Sequence, residues 1–201
     1  SELLTNDELV ELSTIFAELG ITKIRLTGGE PLLRPGLVDL VGRLSRIPGI
    51  TQLAMSTNGV LLKRHARALK EAGLKRVNIS LDTLSRERFA QITGQDAWQT
   101  VVEGILEAKA AGLAPVKVNT VLMNGVNDDE ILALVGFAIE QEVELRFIEW
   151  MPTNPLVDQE REGKFLSNEA AKAQIERHYP LIPDDPDPHS PARSFIVAGT
   201  N

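Results

Sequence analysis

A phrase of helix, glycine and strand recurs along this chain, and it limits the fold more than any other feature. A helical run with Leu9, Leu12, Ile15, Phe16 and Leu19 on one side, capped by Asn6 or Thr5, ends at Gly20 and leads into Lys23-Ile24-Arg25-Leu26. The phrase returns at Leu69 to Leu74 before Val77-Asn78-Ile79-Ser80, and again at Ala108 to Leu113 before Val116-Lys117-Val118-Asn119. Between the first two lie a helix near Leu37 to Ile47 and a strand near Gln52 to Ser56. After the third come a helix near Asp129 to Gln141 and a strand near Glu144 to Ile148. Strands separated by helices of this length form a parallel sheet, open or closed into a barrel.

Alternate residues divide each strand into two faces. Ile24, Leu26, Leu53, Met55, Val77, Ile79, Leu81, Val116, Val118, Leu145 and Phe147 suit packing beneath helices. The opposite face carries Lys23, Arg25, Thr27, Gln52, Ser56, Asn78, Ser80, Asp82, Lys117, Asn119 and Arg146. A (β/α) barrel that fills itself places Val, Ile and Leu inside. A sheet with one wet face is disfavoured, because helical crossovers cover both faces of a parallel sheet. Polar residues in register therefore imply a barrel whose interior or mouth holds a polar ligand.

Where the first strand runs out, Thr27-Gly28-Gly29-Glu30-Pro31 leaves its backbone uncovered, so a ligand can lie against the main chain. Pro31 biases Glu30 away from helical geometry and so directs its carboxylate. The spacing is not the GxGxxG of a dinucleotide loop. At 201 residues and 43% hydrophobic content the chain can bury a sizeable core, and length favours one domain. A net charge of -7 argues against wrapping nucleic acid. No apolar run reaches the roughly 20 residues of a membrane span and no signal segment opens the chain, so a cytoplasmic setting is expected.

Six stretches, in this order, carry a resemblance: Lys23 to Leu32, Ser56-Thr57-Asn58-Gly59, Asn78-Ile79-Ser80-Leu81-Asp82, Ile92-Thr93-Gly94, Lys117-Val118-Asn119-Thr120-Val121 and Arg146-Phe147-Ile148-Glu149-Trp150-Met151. Together they closely resemble the GTP 3′,8-cyclase family of radical SAM enzymes, which serve molybdenum cofactor biosynthesis. Gly-Gly-Glu-Pro alone resembles radical SAM enzymes in general; the Lys-Val-Asn-Thr-Val and Arg-Phe-Ile-Glu blocks narrow it. The resemblance runs from about Ser1 to Ser190-Pro191-Ala192. It implies an α/β fold, a partial (β/α) TIM-like barrel of the radical SAM type with parallel strands and outer helices. Residues 1–151 would form the barrel core and 152–201 a C-terminal extension of loop, helix and linker leading into a further region.

The resemblance implies that S-adenosylmethionine is cleaved reductively at a 4Fe-4S cluster and that the resulting radical abstracts hydrogen from GTP, with an electron donor as partner. It assigns Gly29, Ser80 and Met151 to S-adenosylmethionine, and Arg25, Ser56 and Lys117, with Lys23 and Arg146, to GTP. Ser56 departs slightly, since relatives carry Thr there, but the hydroxyl is kept. The types suit the roles: a thioether packs on adenine, Arg grips phosphate bidentately and Lys acts as a point charge. The family holds its clusters with a CxxxCxxC loop and three further cysteines, and this chain has no cysteine. The chain is therefore expected to be an internal portion of a longer protein. A cluster-free relative that binds a nucleotide or S-adenosylmethionine, or another radical SAM enzyme, is the alternative. A homodimer is compatible with the sequence.

Glu30, Asp82 and Glu149 fall at strand ends and are expected to hold structure or orient ligand. His65, His178 and His189 are too scattered for a metal site. After Met151 the alternation stops: Thr153 to Gly163 reads as a polar loop, Ser167 caps a helix running to His178, and Ile182 to Pro191 reads as a linker. Ala171, Ile175 and His178 would share one side of that helix, and Pro191 to Phe195 resembles the strand by which the family enters its C-terminal region.

Overall fold

The computed structural model describes residues 3–151, 163–184 and 192–200. Helix α1 (Asn6–Glu18) leads to β1 (Lys23–Leu26), followed by α2 (Leu37–Leu44), β2 (Gln52–Thr57), α3 (Leu62–Glu71) and β3 (Arg76–Ser80). Two helices, α4 (Arg86–Thr93) and α5 (Trp98–Ala110), precede β4 (Val116–Leu122). Then come α6 (Ile131–Gln141), β5 (Glu144–Glu149), α7 (Asn168–Glu176), β6 (Leu181–Asp184) and β7 (Ser194–Val197). β1 to β5 form one sheet in sequential order, with parallel pairing across β1-β2, β2-β3 and β3-β4. The chain divides into two compact units, Ser1–Leu81 with Ser85–Asn119, and Asp82–Leu84 with Thr120–Asn201.

In the first unit the expected apolar face lies under the helices: Leu53, Met55, Val77, Ile79, Leu81, Val116 and Val118 are buried. Helix α3 covers them with Leu62, Ala66 and Leu69, and α5 with Val101, Ile105 and Ala108. Glycine sets how closely these helices approach. A Cβ on Gly104 would stand 2.8 Å from the carbonyl oxygen of Gly59, where α3 begins, so α5 rides against backbone there. Thr5, not Asn6, caps α1, and a capping box with Glu8 closes its first turn. The helix forms as its periodicity requires, yet it buries none of its residues, and Leu12, Ile15, Phe16 and Leu19 remain exposed. Arg43 ties α2 to α1 through Asp7 at 2.7 Å.

Helix α4 falls between the sequence landmarks; Ser85 caps it and Gly94, in the left-handed region, ends it. The second unit has its own core of Leu122, Ile131, Val135, Ala171 and Ile175, with Leu145, Phe147, Leu181 and Val197 packed against it. Ser167 caps α7 as expected, and Ala171 and Ile175 are its buried residues. His178 is a correction: the helix stops at Glu176, and His178 is exposed beyond it. A second correction concerns the linker expected from Ile182. Leu181–Asp184 is a strand, pairing antiparallel with Ser194–Val197, so a hairpin occupies part of that segment. The polar loop at 153–162 and the remaining linker at 185–191, with His189, lie outside the described residues.

Gly104→Ala should test the helix contact. Its Cβ must push against the Gly59 carbonyl, so chemical denaturation should show a loss of about 1–3 kcal/mol, the range for overpacking a tight contact. Ala at an open helix site would instead stabilise slightly.

Candidate functional site

The sheet register aligns the polar residues of the first unit in rows. Lys23 pairs with Gln52, and Arg25 with Ala54, which pairs with Arg76. One step up, Ser56, Asn78 and Lys117 are consecutive cross-strand neighbours, and above them Ser80 pairs with Asn119. These residues share one face because β-strand side chains alternate and parallel partners in register point the same way. The face is dry at its centre and open at its ends. Asn78 is 3% exposed and Lys117 9%, whereas Lys23, Arg25 and Ser80 are exposed.

Two buried acceptors on this face have no hydrogen-bond partner among the described residues, Asn78 Oδ1 and Asn119 Oδ1. An acceptor left this way costs about 1–3 kcal/mol. Neighbouring rows therefore each present an unmet demand for a donor, one beside Ser56 and Lys117, the other beside Ser80. The sequence placed both asparagines on the polar face without singling them out. Their only signal was alternation, and burial distinguishes them from the other polar positions there.

The Gly28-Gly29 turn leaves the end of β1 with both glycines exposed and left-handed, at φ +92° and +45°. A Cβ on either would meet nothing within 4 Å, so these glycines answer a conformational need and leave the backbone open. Glu30 secures the turn. Its carboxylate accepts from Leu32 N at 3.0 Å, Thr57 Oγ1 at 2.7 Å and Asn58 N at 2.7 Å, tying the exit of β1 to the exit of β2. Thr57 Oγ1 in turn accepts from Gly59 N at 3.1 Å.

The other two strand-end acids lie in the second unit and also hold backbone. Asp82 Oδ1 accepts from Val121 N at 2.8 Å, and Glu149 Oε1 accepts from Asn168 N at 2.8 Å. Buried Asn127 completes the turn around Asp82, donating to the carbonyls of Asp82 and Val121 and accepting from Met123 N. Burial pushes the Asp82 carboxyl above its ordinary pKa, partly offset by the Val121 hydrogen bond. Glu130 accepts from the Thr83 hydroxyl and from Leu84 N. Arg146 is a half-buried position of β5, and Met151 follows that strand, 72% exposed.

Several helix cations are paired with acids, as in Lys63–Glu103, Arg67–Glu107 and Arg86–Asp96. Lys23, Arg25 and Arg146, on strands, have no ion-pair partner among the described residues. An iron-sulfur cluster does not fit this chain: it has no cysteine, and no group of three or more His, Asp or Glu among the described residues could hold a metal ion. No helix among the described residues is long and apolar enough to cross a membrane.

The family model of the radical SAM superfamily matches residues 1–138. The chain is 47% identical over 199 residues to the GTP 3′,8-cyclase of Thermodesulfovibrio yellowstonii, covering 98% of this chain and 61% of that protein. It is 44% identical to that of Streptomyces coelicolor, covering 98% of this chain and 59% of the relative. The chain thus spans about three-fifths of the length of the curated relatives it matches. Among solved structures it resembles methylornithine synthase with a TM-score of 0.67 at 21% identity, covering 86% of this chain and 52% of the other. It also resembles TYW1 with a bound lysine-pyruvate adduct, with a TM-score of 0.65 at 18% identity, covering 90% of this chain and 64% of the other. At these identities the structural likeness shows the fold alone, the parallel strand-and-helix arrangement of the radical SAM barrel.

Glu30→Ala should destabilise the chain by about 2–4 kcal/mol in denaturant titration, since it strips the acceptor from several donors at once. Asp82→Asn tests the buried acid. A carboxyl raised above its unfolded value of about 3.9 stabilises the fold below that pH and loses the contribution as pH rises through the folded value. Asparagine keeps an acceptor for Val121 N without the charge. The melting temperature of the variant relative to wild type should therefore rise from about pH 4 toward neutrality, and a flat difference would remove burial as the cause.

Proposed function

The chain belongs to the radical SAM superfamily, and from that membership we propose that it is the barrel portion of a GTP 3′,8-cyclase, a lyase acting on GTP. The observation that carries the reading is the cross-strand row of Ser56, Asn78 and Lys117, with Arg25 and Lys23, which have no ion-pair partner among the described residues, on the same face. A triphosphate needs cations that are not already neutralised by carboxylates, and in a chain of net charge -7 Lys23 and Arg25 meet that need among the described residues. In this reading Lys117, Arg25 and Lys23 bind the phosphates and the Ser56 hydroxyl binds beside them; Arg146, in the second unit, is assigned to GTP by the family resemblance alone. Identity above 40% to named GTP 3′,8-cyclases supports the substrate.

S-adenosylmethionine is assigned to Gly29, Ser80 and Met151. The residues of the first unit suit it, since the glycine turn exposes backbone and Asn119 offers an unmet acceptor beside Ser80. Bound, it would supply the one-electron chemistry of the superfamily. The chain's own part is to bind and orient: Glu30 holds the glycine turn against β2, and the dry centre of the face keeps water from competing for Lys117. The cluster's thiolates have no counterpart in these residues, so in this reading they come from outside them, as does the electron donor. A cytoplasmic setting belongs to the same reading. The lack of cysteine also favours a second one, a cluster-free protein that binds a nucleotide or S-adenosylmethionine without catalysis.

Lys117→Ala in the full-length protein should weaken GTP by about 2 kcal/mol or more in calorimetry, the range for removing one partner of a desolvated charge contact. Guanosine, lacking phosphates, should lose little. Equal losses for the two ligands would remove Lys117 from the phosphates. Iron and sulfide reconstitution separates the two readings: the 201 residues alone should assemble no cluster, whereas the full-length protein should form one under the first reading and none under the second.

A further inference from the structure

Asn78 is the one residue on the polar face that combines near-complete burial with an oxygen lacking any partner among the described residues. It is not a helper of the fold in the way Asn127 is, whose carboxamide is fully engaged with backbone. Its place in the row is informative. Ser56 lies on one side and Lys117 on the other, each one strand spacing away, about 4.8 Å.

In the GTP reading a ligand lying along this row meets two unlike groups. It brings negative charge toward Lys117. At Asn78 it must offer a hydrogen-bond donor, because a carboxamide oxygen repels phosphate oxygens and gains only from N–H or O–H. Charge and donor must also lie within about one strand spacing of each other. In a nucleoside triphosphate the groups that fit are the ribose hydroxyls, which adjoin the 5′-phosphate; the guanine N–H edge lies at the far end of the base. We propose that Asn78 reads the sugar: its carboxamide oxygen accepts a hydrogen bond from a ribose hydroxyl of the nucleotide whose phosphates lie toward Lys117. The assignment rests on the GTP reading above and adds a specificity-determining contact to it. A buried acceptor made for a hydroxyl discriminates against a sugar lacking it, because the oxygen is then left unpaired.

The test is calorimetric titration of the full-length protein with GTP, 2′-deoxy-GTP and 3′-deoxy-GTP, using wild type, Asn78→Leu and Asn78→Asp. One deoxy analogue should bind wild type roughly 10-fold more weakly than GTP, Asn78→Leu should weaken GTP by a similar factor, and the same analogue should lose nothing further in that variant. Without ligand, the melting temperature of Asn78→Leu should be unchanged or raised, because an apolar group of similar size removes an unsatisfied acceptor. Asn78→Asp keeps the acceptor and should keep the discrimination. The proposal is overturned if wild type binds GTP and both deoxy analogues equally, a result that needs no variant to fold. It is also overturned if Asn78→Leu weakens all three ligands alike, or if its ligand-free melting temperature drops. Failure of wild type to bind GTP at all would instead overturn the substrate reading, and this assignment with it.

Discussion

The parallel, in-register pairing of β1 through β4 is the constraint on which the rest of the first unit depends. Side chains alternate with a period of two, so a slip of one residue in any strand would send its polar set under the helices and its apolar set to the polar face. The observed register puts Leu53 with Ile24 and Val77 with Met55 on the helix side, and Ser56, Asn78 and Lys117 together on the other. The helices hold that register by burying the apolar side, and Gly104 lets α5 sit close enough to do so. The candidate site is thus the second face of the same decision that builds the core.

Carboxylates at strand ends hold the loops. Glu30, Asp82 and Glu149 each accept from backbone N–H groups of a later segment of their own unit. A sequence reader sees three acids at strand ends and can suspect metal or acid-base chemistry. Their hydrogen bonds assign them to shaping instead, and Glu30 does so at the glycine turn itself. The division among cations is complementary. Lys63, Arg67 and Arg86 on helices are paired with acids, whereas Lys23, Arg25 and Arg146 on the strands have no ion-pair partner among the described residues. Exposed helix pairs contribute little to stability, so their value lies in solubility more than in holding the fold.

Local sequence determined much about this protein. The helix-glycine-strand repeat set the order of elements, because helix periodicity, capping residues and left-handed glycines are properties of a few neighbouring residues. Alternation sorted the strands into an apolar and a polar face, and Lys23, Arg25, Ser56, Ser80 and Lys117 were legible as members of the polar one. The motif blocks placed the chain in its superfamily. The tertiary structure decided what depends on residues far apart. Which polar residues become row neighbours follows from register, which no single strand contains. That Asn78 is buried with an oxygen lacking a partner among the described residues, that α1 forms yet buries none of its apolar positions, and that Leu181–Asp184 pairs with Ser194–Val197 all depend on what packs beside them. Propensity and period act over a few residues, whereas burial and hydrogen-bond satisfaction belong to the assembled neighbourhood, and the candidate site is defined by the latter.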